Sequence, residues 1–272
     1  MGTPTRSRVR PKRSLGQNFL RDDNIARKIA ASISPRGGDV MLEIGPGEGA
    51  LTRFLAPSVR TLIAVDIDGR VIKHLKAAFT GANVTFLHQD FLATDLADLA
   101  GKGQLRVVGN IPYNITSPIL FHLLDHRVYV RDITLMVQKE VARRLAASPS
   151  TKDYGILSVF CQLFADVKLL FDVTPNAFVP KPTVMSSVVH LDVLDMPRYS
   201  LNDERFFRRM IRSVFGKRRK TLRNSLSYFM KEFEDVVPPH AHLQRRPEEL
   251  SIQQLVQLSN DLHTYVHGLA TQ

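Results

Sequence analysis

Five apolar-patterned residues, Val40–Ile44, run straight into Gly45-Pro46-Gly47-Glu48-Gly49, and a helical pattern starts at Ala50. A short strand that breaks on glycines and re-enters as a helix is the opening of a βα unit. Glycines there permit positive φ and let a ligand approach the backbone. The same alternation continues downstream. Strand signals at 61–65, 84–88, 105–108 and 133–137 are interleaved with helical patterns at 68–79 and 139–147. Strands joined by helical crossovers form a parallel sheet covered by helices. Ligands of such sheets bind beyond the carboxyl ends of the strands, so the loops after the first four strands are where chemistry is expected. Two later strands, 167–171 and 187–193, read as a terminal antiparallel pair.

Before the first strand, Asp22 or Asp23 caps a helix expected over 24–33. After Leu194 the composition changes. A linker around Pro197 leads into helical patterns at 203–215, 218–229 and 251–266, the last opened by a Ser251/Gln254 capping box. The expected organisation is a basic arm at 1–13, an α/β domain at 14–195 and an all-helical domain at 196–272.

Charge is unevenly placed. The chain of 272 residues carries a formal +11. Residues 1–13 contribute +5, and 198–231 contribute +9 from eleven Lys or Arg against Asp203 and Glu204, leaving −3 for the rest. A mildly acidic body with two basic blocks fits a polyanion-binding protein better than a generally soluble one. The single cysteine, Cys161, excludes an intrachain disulfide and suits a reducing compartment. No apolar run reaches the roughly 20 residues of a membrane span, and the start lacks a signal-peptide core. A cytoplasmic location is expected. The nine histidines form no ligand constellation with carboxylates or Cys161, so no catalytic metal is expected.

Asp66 ends the second strand, about twenty residues after the glycine turn, where a carboxylate accepts ribose hydroxyls. Asp90 ends the third, within reach of a purine amine. Nicotinamide enzymes share this spacing, but their fingerprint is G-x-G-x-x-G with a pyrophosphate on the helix N-terminus. Here the pattern is G-x-G-x-G, with Glu43 before it and Glu48 within it. Carboxylates suit an ammonium or a sulfonium rather than a pyrophosphate, which favours S-adenosylmethionine.

The fourth strand ends in Gly109-Asn110-Ile111-Pro112-Tyr113. An adenine amine is a weak nucleophile because its lone pair is delocalised into the ring. Methylating it calls for acceptors on its N–H bonds. Asn110 offers a side-chain carbonyl and Ile111 a backbone one, with Pro112 restricting Ile111 to extended geometry. Tyr113 can stack on the base, at about 1–3 kcal/mol for such contacts. Phe178, in the proline-rich stretch 175–182, is read either as the opposite face of an adenine sandwich or as a packed loop aromatic.

Lys12-Arg13-Ser14-Leu15-Gly16-Gln17-Asn18-Phe19-Leu20 is similar to the opening signature of the small-subunit (16S) ribosomal RNA adenine N6,N6-dimethyltransferases. Further matches are 43–47, 110–113, Gln138-Lys139-Glu140-Val141, the Phe178-x-Pro180-x-Pro182-x-Val184-x-Ser186 run, and 218–226. The resemblance runs from Lys12 to the last helix, and so many motifs in order are specific. It implies a class I, Rossmann-like methyltransferase fold with a seven-stranded, mostly parallel sheet and a small helical C-terminal domain. It also implies dimethylation of two adjacent adenines in the 3′-terminal hairpin loop of the small-subunit rRNA, linked to late subunit assembly, with S-adenosylhomocysteine as the other product. With it, the cofactor-binding set becomes Gln17, Asn18, Leu20, Glu43, Gly45, Gly47, Asp66, Ile67, Asp90, Phe91 and Asn110. The catalytic set is Asn110, Ile111, Pro112, Tyr113 and Phe178, and the RNA-binding set is Arg10, Lys12, Arg13, Lys217, Arg218, Arg219, Lys220 and Arg223.

Two positions depart from the family pattern. Asp66 replaces a usual Glu, and Met185 stands where Asp is frequent. The expected partner is the small ribosomal subunit, met by a monomer, with neither DNA nor membrane. Three other readings stay open: a large-subunit rRNA dimethyltransferase, a DNA adenine methyltransferase, and an assembly factor whose methylation is secondary.

Overall fold

A computed structural model describes residues 9–80, 83–217, 220–233, 237 and 239–269. The glycine turn follows an interior strand of a seven-stranded sheet. Its strands are β2 (Val40–Ile44), β3 (Thr61–Asp66), β4 (Val84–His88), β5 (Leu105–Asn110), β6 (Val130–Gln138), β7 (Ala165–Val173) and β9 (Ser186–Val193). They run in the order β4-β3-β2-β5-β6-β9-β7, and the five from β4 to β6 are parallel. β9 is antiparallel to β6, pairing Met136 with Val188. It lies between β6 and β7, so the two last strands expected from sequence join the sheet with β9 inside and β7 at the edge.

Successive residues are buried along β2, β3, β5 and β6. Side chains alternate between faces along a strand, so both faces of this part of the sheet are covered, as parallel sheets require. The helices around it are α1 (Asp23–Ile33), α2 (Thr52–Leu55), α3 (Gly69–Ala78), α4 (Leu96–Ala100), α5 (Thr116–Asp125) and α6 (Lys139–Leu145). In α1, Asp22 accepts from the backbone of Asn24 and Ile25, and Ala26, Ile29, Ala30 and Ile33 face inward at helical spacing. They join Met41, Leu55, Leu62, Val108 and Met136 in one apolar cluster. Two-residue strands β1 (Phe19–Leu20) and β8 (Phe178–Val179) pair antiparallel, a feature the sequence did not announce.

Contacts divide the chain into two units. The first runs to Ala142 and resumes over Val167–Val193; the second comprises Arg143–Asp166 and the chain from Leu194 onward. The sequence boundary at 195/196 lies two residues from the last crossing between units, but the excursion 143–166 belongs with the helical unit. It supplies α7 (Ile156–Phe164), which packs with α8 (Glu204–Phe215) through edge-on contacts such as Phe160 on Phe207. α9 spans Leu222–Met230, starting later than the expected 218, with Thr221 as its N-cap. α10 (Ile252–Leu269) begins with the capping box: Ser251 N donates to Gln254 Oε1 at 3.0 Å, and Gln254 N to Ser251 Oγ at 3.2 Å. The first unit also reaches further forward than expected. Val9 is buried against Phe19, Val71, Ile72 and Leu75, so the end of the basic arm is already anchored there.

Candidate active site

Because β2, β3, β4 and β5 are parallel, their carboxyl ends share one edge, and a cavity of about 230 Å³ lies there. Its wall is the turn 43–48, Val65 to Ile67, Gln89 to Leu92, and Asn110 to Ile115, completed by the stretch 14–20. All of these residues belong to the first unit.

The glycine turn is shaped by need. Gly45 and Gly47 adopt φ of 65° and 56°, which L side chains resist. A Cβ on Gly47 would meet the Phe19 ring at 3.0 Å, so a side chain there would press on the short β1–β8 pair. Glu43, 1 % exposed, accepts from Thr52 Oγ1 at 2.7 Å. Burial pushes its carboxyl up to about 7. Burial likewise pushes Asp66 up to about 6, although the Asp68 N–H donates to its Oδ1 at 2.8 Å. Two carboxyls held so near neutrality favour a ligand that brings positive charge or hydroxyl donors. Glu48, by contrast, is already engaged by Arg21 at 3.0 Å and by the Val9 N–H at 3.2 Å.

The stretch 14–20 is tied across the strand ends. Gln17 Nε2 donates to Asp68 Oδ2 at 3.1 Å, while Gln17 Oε1 accepts from Lys12 N at 2.8 Å. Asp68 is fixed in turn by Arg70, whose hydrogen bonds hold its carboxyl well below the usual carboxylate range. Asn110 Nδ2 donates to the carbonyl of Asn18 at 3.0 Å. That bond orients the amide and leaves Oδ1 without a protein donor among the described residues. Tyr113 opens a short turn after Pro112, and its hydroxyl lies 2.7 Å from Ser186 Oγ. Asp90 caps the turn Phe91–Ala93 through the Leu92 N–H at 3.0 Å.

The structure therefore gathers Gln17, Asn18, Leu20, Glu43, Gly45, Gly47, Asp66, Ile67, Asp90, Phe91, Asn110, Ile111, Pro112 and Tyr113 around one cavity. Phe178 is the exception: it is placed as the packed loop aromatic and not on the cavity wall. It is 1 % exposed and packs in the apolar cluster with Leu20, Ala177 and Val188, because its backbone pairs with β1 and turns the ring inward. Sequence reasoning missed Thr52, Asp68 and Ser186, which hold Glu43, Gln17 and Tyr113. Asp68 had a readable signal, as an N-cap before a helical run, and Ser186 one as the last position of the Phe178-x-Pro180-x-Pro182-x-Val184-x-Ser186 run; Thr52 had none. Among the described residues, no group of three His, Cys, Asp or Glu could hold a metal ion, and no helix is long and apolar enough to cross a membrane.

The profile of the family described as "Ribosomal RNA adenine dimethylase" matches residues 8–263. The chain belongs to that family. Relatives of this dimethylase include "Ribosomal RNA small subunit methyltransferase A" of Chlorobium phaeobacteroides (strain BS1), 44% identical over 253 residues, covering 92% of this chain and 93% of the relative. The protein of the same name from Geobacter metallireducens is 46% identical over 222 residues, covering 80% and 81%. Among solved structures, a dimethyladenosine transferase from Plasmodium falciparum superposes with a TM-score of 0.78 at 25% identity, over 92% of this chain and 98% of the other. The 23S rRNA methyltransferase ErmE gives a TM-score of 0.65 at 27% identity, over 90% and 100%. The seven-stranded sheet is thus the class I methyltransferase fold. In the dimethylase, Arg10, Lys12 and Arg13 are exposed beside the stretch that walls the cavity, and Lys217, Lys220 and Arg223 are exposed in the helical unit. Arg218 and Arg219 lie outside the described residues.

Proposed function

We propose that this chain transfers methyl groups from S-adenosylmethionine to the N6 amines of two adjacent adenines in the 3′-terminal hairpin loop of small-subunit rRNA. The observation that carries the reading is Asn110. Its amide is oriented by the Asn18 carbonyl, at the end of β5, on a cavity that also holds the carboxyls of Glu43, Asp66 and Asp90. The names borne by the relatives support small-subunit rRNA as the substrate class.

The donor set fits the cofactor. Raised carboxyls at Glu43 and Asp66 suit an ammonium and ribose hydroxyls, and the glycine turn admits a close backbone approach. Gln17, Asn18, Leu20, Ile67, Asp90 and Phe91 would complete the holding set. When bound, S-adenosylmethionine supplies an electrophilic methyl group. The protein's own residues do the rest. Asn110 Oδ1 accepts one N–H of the adenine amine, and the Ile111 carbonyl accepts the other, which sharpens the nitrogen lone pair. Tyr113 stacks on the base and fixes the line of attack. The methylated nitrogen is strongly acidic and loses its proton without a strong base.

The enzyme acts in the cytoplasm as a monomer on the assembling small subunit, with the basic residues Arg10, Lys12, Arg13, Lys217, Arg218, Arg219, Lys220 and Arg223 meeting rRNA. The test is transfer of labelled methyl to undermethylated small subunits, followed by digestion to nucleosides. Label in N6,N6-dimethyladenosine that disappears in Asn110→Ala is the expected result. The likeness to ErmE makes large subunits the necessary second substrate. Transfer to them alone would replace this reading. Rescue of subunit maturation by Asn110→Ala would make methylation secondary to assembly.

A further inference from the structure

Three ammonium groups converge on one tyrosine of the helical unit. Nζ of Lys217, Lys220 and Lys231 lie 5.0, 5.3 and 5.7 Å from the centroid of the Tyr228 ring. Lys220 Nζ also donates to the phenol oxygen at 3.2 Å. Tyr228 stands on α9 and is 43% exposed, and all three lysines are exposed. Among the described residues, no carboxylate comes within ion-pairing distance of any of the three. Glu232, next in sequence to Lys231, pairs instead with Arg209.

Such an arrangement opposes ordinary electrostatics. Like charges on a solvated surface disperse, and a lysine kept only for solubility has no reason to share a ring with two others. Here the ring does the gathering, its negative face attracting each ammonium. The Lys220 hydrogen bond and the neighbouring charges hold the Tyr228 phenol below the usual tyrosine value, so the hydroxyl is itself part of the cluster. What remains is a concentration of ammonium donors with no anion among the described residues. A phosphodiester, with two anionic oxygens that accept several N–H donors, matches that deficit.

We propose that Tyr228 gathers Lys217, Lys220 and Lys231 into a clamp for the phosphodiester backbone of the rRNA, carried by the helical unit while the catalytic cavity belongs to the first. The assignment rests on the rRNA reading above and adds two residues, Tyr228 and Lys231, that the sequence did not single out. Tyr228 is a positioning residue in this clamp, because it presents the lysines rather than touching the reacting atoms.

The test is binding of undermethylated small subunits across a salt series, alongside methyl transfer at saturating subunits. Replacing the three lysines with Gln lowers the slope of log K against log salt by about two, at roughly 0.7 per phosphate contact on single strands. Tyr228→Leu, which keeps every charge, weakens binding roughly five-fold and lowers the slope by about one. Tyr228→Phe keeps the ring, loses only the Lys220 hydrogen bond and stays closer to the parent; the triple lysine variant decides the matter if the Leu protein is misfolded. Transfer at saturating subunits is unchanged in the two Tyr228 variants, so their loss falls on KM for the subunit. Parental affinity and slope in Tyr228→Leu, or in the triple lysine variant, overturn the clamp while leaving the substrate reading intact. A parent protein that transfers no label to small subunits overturns the substrate reading itself, and the clamp's assignment to rRNA with it.

Discussion

The hydroxyl of Tyr113 lies 2.7 Å from Ser186 Oγ, which joins the turn after β5 to the first residue of β9. Ser186 is fully buried, so its hydroxyl has few other partners, and the bond fixes the plane of the ring proposed to stack on adenine. Ser186→Ala should lower methyl transfer about ten-fold through loss of orientation, while stability falls by only about 1 kcal/mol. Tyr113→Phe removes the same bond and should behave alike. The double variant should be no worse than either single one, since both remove one interaction. Additive losses in a double-mutant cycle of transfer rates would show that the two hydroxyls act separately.

Burial raises Glu43 to about 7 and Asp66 to about 6, which makes cofactor binding and folding respond to pH in opposite directions. A raised carboxyl means that the folded chain holds a proton the unfolded chain has released. Its contribution to stability therefore falls as pH rises from the ordinary 4.5 through 7 for Glu43. A cationic ligand favours the ionised carboxyl, so affinity for S-adenosylmethionine should rise over the same range with proton release. Glu43→Gln should stabilise the ligand-free protein by about 3 kcal/mol at pH 8 and flatten both profiles. Calorimetric titration in two buffers of different ionisation enthalpy, with thermal melts across pH, measures both effects.

Much of this site could be read in the sequence because its positions are forced by backbone geometry. A strand ending on glycines with positive φ, an aspartate at the end of each of the next two strands, and an Asn-x-Pro-Tyr after the fourth are all set by topology and spacing. What escaped lacks a period. β1 and β8 are two residues each, too short for alternation to register. In α7, Ile156–Phe164 carries only Ser158 and Gln162 as polar residues, so its membership of the helical unit is set by Phe160 meeting Phe207 rather than by pattern. Ser186 and Thr52 act through contacts between residues 73 and 9 positions apart, which no local signal encodes.

Phe178 separates a core role from a stacking role. It packs among Leu20, Ala177 and Val188, so Phe178→Ala should cost about 3–5 kcal/mol of stability. Phe178→Leu, which keeps most of the volume, should retain near-parental methyl transfer well below its melting temperature. A Leu variant that melts normally but transfers poorly, with raised KM for the subunit, would return the ring to the base-binding machinery.

At the opposite ends of the strands, Arg106 anchors the frame on which the cavity is built. Its Nε and Nη1 donate to Asp132 and Asp39, each at 2.7 Å, and Nη2 donates to the Ile33 carbonyl at 2.6 Å. All three charged groups are buried. Arg106→Met keeps much of the volume but removes the nearer cation from two carboxylates, leaving them Arg131 at 3.9 and 4.0 Å, and unpairs the Ile33 and Ser34 carbonyls that close α1, so it should cost about 3–5 kcal/mol at neutral pH. Burial alone would raise Asp39, yet hydrogen bonds from Arg106 and the Arg36 N–H, with the charges of Arg106 and Arg131, together outweigh it and hold the carboxyl below its ordinary value. A depressed carboxyl contributes stability that is present above its unfolded value and lost as pH falls through its folded one. The gap between parent and Arg106→Met should therefore narrow as acid protonates Asp39. Denaturant melts at pH 8, 6 and 4 measure that gap, and a gap independent of pH would assign the loss to packing alone.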